Sequence, residues 1–188
     1  PVESQVGQAQ VDLMPRVRGQ GDLALLGGQT GGLQERGVGQ ILRGELWRVV
    51  TPAFLHFSIP HILFNLLWLR MLGGEIESRR GLVRYTGLVL LIAVVSNIGQ
   101  YAATGSPMFG GMSGVVYGVF GYLWMKERFA PESGLSLPPN CLFWMLGWFV
   151  LCWFDVVGPI ANWAHTFGLA AGMLVGLLPT RPQPDSPH

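Results

Sequence analysis

The sequence predicts an all-α, polytopic membrane helical bundle, and three observations predict it. Only 12% of the 188 residues are charged, against about 25% in an ordinary soluble domain. Hydrophobic residues make up 49% of the chain and the mean hydropathy is +0.38. The apolar residues gather into five runs separated by polar connections, the pattern of helices that cross a bilayer. The same composition excludes other classes. With a net charge of +1 and a single lysine there is no basic patch for nucleic acid. Cys141 and Cys152 stand eleven residues apart on one predicted helix, about 16 Å along its axis. They cannot bridge each other, and neither a disulfide scaffold nor a thiolate metal site is expected. No internal repeat and no cofactor motif is visible.

Residues 1–44 are rich in Gly, Gln and Arg and contain no apolar run long enough to span. They also lack the charged-then-apolar pattern of a signal peptide. This part is read as an extramembrane segment, with a short helix near Val38–Leu42. Residues 45–179 form the membrane core, and 180–188 a cytoplasmic tail.

The first span runs from about Pro60 to Gly74, with Ser58 as its cap and Pro60 in its first turn. It is the most polar of the five, carrying His61, Asn65 and Arg70 just after His56; Arg70 can snorkel toward the interface. The second covers Leu82–Ala103, with Ser96, Asn97 and Gln100 as its polar residues. The third runs from Met112 to Trp124, the fourth from Asn140 to Val157, and the fifth from Asn162 to Leu178, stopped by Pro179.

Charge sets an orientation. Arg79, Arg80 and Arg84 lie between or beside the first two spans, Lys126 and Arg128 between the third and fourth, and Arg181 after the fifth. The opposite connections, 104–111 and 158–161, carry neither Lys nor Arg. The charged end is therefore expected to be cytoplasmic, although Arg16, Arg18, Arg36, Arg43 and Arg48 before the first span oppose this. The first, third and fifth spans then run the same way. His61, Ser113 and His165, all early in those spans, fall at one depth in the outer third of the membrane.

Ser113 is the centre of this constellation. As a lone serine at a helix start it would be an N-cap. That reading leaves Gly110, Gly111, Gly114, Gly118 and Gly121 unexplained. The last three form a bare stripe on one helix, and Ala164, Gly168, Gly172 and Gly176 form a second around His165. Matched stripes let two backbones approach closely, with Gly168 as the expected contact point. A serine becomes a nucleophile when an imidazole takes its proton, so Ser113 and His165 are read as nucleophile and base. A structural hydrogen bond is the bland alternative for His165, but ionisable groups at this depth are functional candidates by default. His61 and Asn65 share a helix face. Zinc binding is the rival reading, but the pattern lacks the glutamate of His-Glu-x-x-His and Asn is a poor ligand. Neutral donors aimed at an oxyanion fit better, and no metal is expected. Tyr117, one turn below Ser113, either fills space between helices or supports the imidazole of His165. Asp155 is a possible third triad member, although an interfacial position fits it better. His56 is read as structural, Glu75 and Glu77 as local ion pairs with Arg79 and Arg80, and Ser96 and Asn97 as packing hydrogen bonds.

Over roughly 45–179 the sequence resembles the rhomboid intramembrane serine proteases of bacterial type. The resemblance rests on Trp47-Arg48, on His56-x4-His61-x3-Asn65, on Gly111-x-Ser113-Gly114 with Tyr117, and on Ala164-His165-x2-Gly168. It implies that Ser113 is the nucleophile and His165 the general base and acid, a dyad without an acidic third member. It assigns His61, Asn65, the Ser113 backbone N–H and Gly111 to the oxyanion site, and Tyr117 to packing on the histidine. Trp47-Arg48 would belong to an outer loop lying partly in the membrane. The substrates implied are transmembrane proteins cut near their outer ends, in a multi-pass protein of the bacterial inner membrane. The family's bacterial core has six spans and five are visible here, so the first is expected to be absent, in keeping with the missing initiator methionine. The alternatives are a catalytically silent rhomboid-like protein that binds membrane clients and, with fewer features in its favour, a transporter.

Overall fold

The structure is a computed structural model and describes residues 39–154 and 160–179. Among the described residues, five α-helices of 12 residues or more lie within the unit Gln40–His188: α1 (Ile59–Arg80), α2 (Leu82–Thr104), α3 (Ser113–Phe129), α4 (Cys141–Cys152) and α5 (Asn162–Leu177). Two 3₁₀ turns, Leu46–Val49 and Thr51–Phe54, precede them, and a third, Pro131–Ser133, follows α3. Among the described residues there is no strand.

Local chemistry fixes the helix ends. Ser58 is extended and its Oγ accepts the His61 N–H at 3.4 Å, capping α1 with Pro60 in the first turn. A single residue, Gly81 at φ +79°, separates α1 from α2. Gly105, left-handed at φ +66°, closes α2 by donating its N–H to Tyr101 O at 2.7 Å. α1 runs six residues past the expected stop at Gly74. Gly73 is a packing glycine rather than a breaker: its bare Cα receives the ring of Tyr85, and Leu72 and Ile76 are buried beside it. α3 likewise runs on to Phe129, because Met125 and Lys126 are buried and the Lys126 ammonium donates to Leu178 O at 2.6 Å. The short helix expected near Val38–Leu42 is a helical turn ending at Leu42, with Val38 outside the described residues.

α3 is the central element and touches each of the other four helices. The core is largely apolar, around Leu72, Ile92, Val119 and Phe120, but holds several polar side chains, and much of the outer surface is apolar too. Asn65, Ser96, Asn97, Gln100, Lys126 and His165 are buried, whereas Phe143 (71% exposed), Leu67 (61%) and Leu174 (67%) face outward. Exposed apolar surface on this scale marks a face that meets lipid or another protein rather than water. Arg70 lies on that outward side. Among the described residues only α2 combines the length and hydropathy of a free-standing span, with a mean hydropathy of 1.7. α1 is long enough but carries charges in its last turns, and α3, α4 and α5 have 17, 12 and 16 residues. Their lengths of about 18–26 Å fall short of a full hydrocarbon core.

Candidate active site

Ser113 is the first residue of α3, so its backbone N–H belongs to the unpaired donors at a helix N-terminus. The loop before it is shaped by glycine. Gly111 has φ +119°, a conformation that side chains resist, and donates its N–H to Pro52 O at 3.0 Å. A Cβ on Gly111 would stand 2.6 Å from His61 Cε1, and one on Gly110 would stand 2.8 Å from Leu55 O. The two glycines thus let the 3₁₀ segment and the His61 ring close over the start of α3. The Gly111 amide is committed to Pro52 O, so what Gly111 brings to the loop in this structure is its shape.

His165, 3% exposed, lies in the first turn of α5. Its Nε2 is 2.7 Å from Ser113 Oγ. The other ring nitrogen, Nδ1, is buried with no hydrogen-bond partner among the described residues. A serine hydroxyl donating to Nε2 leaves the imidazole proton on Nδ1, the neutral tautomer a general base needs. The ring of Tyr117 lies 4.7 Å from the His165 ring, tilted by 37°, and its hydroxyl donates to Met145 O at 3.1 Å. Tyr117 therefore supports the imidazole while fastening α4 to α3. Asp155 lies outside the described residues.

The 2.7 Å approach follows from the two glycine stripes. A Cβ on Gly168 would collide with Gly114 O, one on Gly172 with Gly118 O, and one on Gly176 would lie 2.8 Å from Tyr122 O. In return, a Cβ on Gly114 would meet Ala164 O at 3.0 Å and one on Gly118 would meet Gly168 O at 2.9 Å. The paired numbers rise together, so α3 and α5 are parallel, in backbone contact along three turns.

Comparison with known proteins bears directly on this arrangement. The family model of the Rhomboid domain matches residues 43–182, well over half of the chain. The chain belongs to the rhomboid family. It is 45% identical over 138 residues to proteins named Rhomboid protease GlpG from Yersinia pestis and Yersinia pseudotuberculosis, covering 73% of this chain and 49% of each relative. It is 43% identical over 140 residues to the Klebsiella pneumoniae protein of that name, covering 74% and 50%. The chain thus spans about half the length of the curated relatives it matches.

For two residues of this rhomboid site, sequence reasoning does not find the partners. The first is His56. Its Nδ1 lies 3.1 Å from Phe54 O, which can only accept, so Nδ1 carries the proton and Nε2 is an acceptor. Nε2 then takes one N–H of Asn65 at 3.1 Å and lies 3.5 Å from the Met112 amide. His56 thereby fixes the orientation of Asn65, whose second N–H stays available. His61 packs edge-on against His56, with ring centroids 4.9 Å apart. The second is Gln100, buried on α2, whose Oε1 accepts the Ala164 N–H at 2.9 Å. It caps the start of α5 from a neighbouring helix, one residue before His165. Asn97, another α2 amide, donates to Val49 O at 2.9 Å and ties down the 3₁₀ segment. That segment exposes Trp47, Phe54, Leu55 and Phe57, while Arg48 pairs with Glu45 at 2.6 Å. Glu75 pairs with Arg79 at 2.7 Å, as the sequence suggests.

Proposed function

We propose that this chain is an intramembrane serine endopeptidase, hydrolysing peptide bonds of transmembrane proteins near their outer ends through a Ser113–His165 dyad. The observation that carries the reading is the 2.7 Å contact between His165 Nε2 and Ser113 Oγ across two parallel helices in backbone contact. Names of relatives that include "protease" agree with it.

In this mechanism Ser113 Oγ attacks the scissile carbonyl carbon as its proton passes to His165 Nε2. The carbonyl oxygen becomes an oxyanion, and the Ser113 N–H, the free N–H of Asn65 and His61 are the donors assigned to it. Collapse of the tetrahedral adduct expels the amine, which takes the proton from Nε2 and leaves an ester on Ser113. Water then attacks the ester while Nε2 accepts its proton, and a second collapse returns that proton to Oγ and frees the acid. The family resemblance implies a dyad without an acidic third member, and the ring is held by Tyr117 and the first turn of α5. A helical substrate must unwind locally, since its peptide bonds are shielded by their own hydrogen bonds.

The charge asymmetry of the connections supports a multi-pass protein of a bacterial inner membrane, with Arg79, Arg80, Arg84 and Lys126 at the cytoplasmic end. The test is labelling of the detergent-solubilised protein with a serine-directed fluorophosphonate, beside cleavage of a transmembrane reporter. Labelling and cleavage are expected in the parent and absent in both Ser113→Ala and His165→Ala. Folded protein that neither labels nor cleaves would instead identify a silent, client-binding rhomboid relative, and turnover by Ser113→Ala would overturn the dyad.

A further inference from the structure

At the end of the bundle remote from Ser113, four elements converge on a cleft of about 480 Å³. Its polar wall is made by Arg80 from the last turn of α1, Arg84 from the first turn of α2, and Lys126 with Tyr122 from α3. Its apolar wall includes Leu88 and Leu91. We propose that this cleft binds one anionic phospholipid, with the phosphate held by Arg80, Arg84 and Lys126 and an acyl chain laid along Leu88 and Leu91.

Three features point to an anion. Among the described residues no Asp or Glu lines the cleft, and Glu132, the nearby acid that acts on Lys126, is exposed outside it. Among the described residues the Nε of Arg80 is buried without a hydrogen-bond partner, although another nitrogen of its guanidinium donates to Ser133 O at 3.3 Å. Lys126 is 2% exposed, and its contact with Leu178 O uses one of its three N–H groups. Two neighbouring cations in a largely apolar enclosure are unfavourable until an anion joins them, and a phosphate oxygen accepts well from both guanidinium and ammonium groups.

The shape points to an amphiphile. Arg84, Leu88 and Leu91 repeat at helical spacing, so one face of α2 runs from charge to hydrocarbon over about 10 Å. Arg84, Gly87 and Leu91 are exposed, which opens the cleft sideways, toward lipid. A free phosphate would fill the charged end and leave the apolar wall uncovered.

The experiment uses the full chain, delipidated in detergent, and native mass spectrometry with dioctanoyl phosphatidylglycerol, dioctanoyl phosphatidylcholine and inorganic phosphate. One phosphatidylglycerol is expected to bind saturably, and more tightly than phosphatidylcholine. Arg84→Gln should weaken phosphatidylglycerol about fivefold, and Arg80→Gln/Arg84→Gln about 25-fold, without changing phosphatidylcholine. Arg84 is exposed, so the single variant decides the matter if the double variant does not fold. Equal binding of the two lipids, or unchanged affinity in Arg84→Gln, would overturn the proposal. Displacement of the lipid by inorganic phosphate at matching concentration would also overturn it, by showing a phosphate site in which the acyl chain plays no part.

Discussion

Gly168 is seated directly against the carbonyl of Gly114, one turn below the Ser113–His165 contact, so tightly that any side chain there would collide with backbone. Gly168→Val must separate α3 from α5 or strain the new side chain, at a cost of roughly 1–3 kcal/mol. The dyad should suffer more than the fold, because a displacement of about 1 Å can cost 10²-fold in rate. Ala170 is exposed on the same helix, and Ala170→Val is the control. Cleavage assays should show most activity lost in the first variant and kept in the second, both running as monodisperse protein.

His56 and Asn65 should behave as one unit. Asn65→Ala is expected to lower kcat by about 10²-fold, as loss of a main oxyanion donor does. His56→Ala should lower it by less, and the double variant should be little worse than Asn65→Ala alone, since His56 acts through Asn65. A double-mutant cycle in kcat checks this; additive losses would show that His56 has a separate role. A chelator should leave turnover unchanged in every variant.

Gln100 offers a test of positioning from a helix that contributes no catalytic group. Gln100→Leu leaves the Ala164 N–H buried and unpaired, a loss of about 1–3 kcal/mol. Unfolding in a denaturing detergent should register that loss. The phosphonate labelling rate should fall as well, because the first turn of α5 carries His165. A stability change with an unaltered labelling rate would show that the cap does not position the dyad.

Orientation is best tested away from the native thiols, since Cys141 and Cys152 are both buried. Ser136 and Met108 are exposed in connections at opposite ends of the bundle. In a Cys141→Ala/Cys152→Ala background, Ser136→Cys should react with an impermeant maleimide only after the cells are opened. Met108→Cys should react from outside in intact cells. The reverse pattern would invert the topology.

The parts of this molecule legible in the sequence are those written as local spacing. The α3–α5 contact could be read because each helix carries its glycines at intervals of three and four, and the depth of Ser113 and His165 followed from span parity. The cap of α1 was legible in Ser58 and Pro60. His56 was not, because its partners Asn65 and Met112 are brought to it by a 3₁₀ segment with no periodic signature. Gln100 was hidden for a related reason: its partner is a backbone amide 64 residues away, and backbone amides leave no mark in a sequence. Gly73-Gly74 misled in the other direction. A glycine pair near the end of an apolar run signals a stop as readily as a close contact, and only the position of Tyr85 distinguishes them.

The joint at Gly81 bears on how the protein is made. With one residue between Arg80 and Leu82, the α1–α2 pair has no slack, which favours insertion of the two helices as a pair. Arg79, Arg80 and Arg84 straddle the turn and resist crossing, so the hairpin should enter as a single object, with its tip left behind. The seat of Tyr85 on Gly73 joins residues only twelve apart, so it can close during that same event. Asn65 and the α2 amides Asn97 and Gln100 would then be held on one preassembled wedge before the ribosome has delivered either Ser113 or His165.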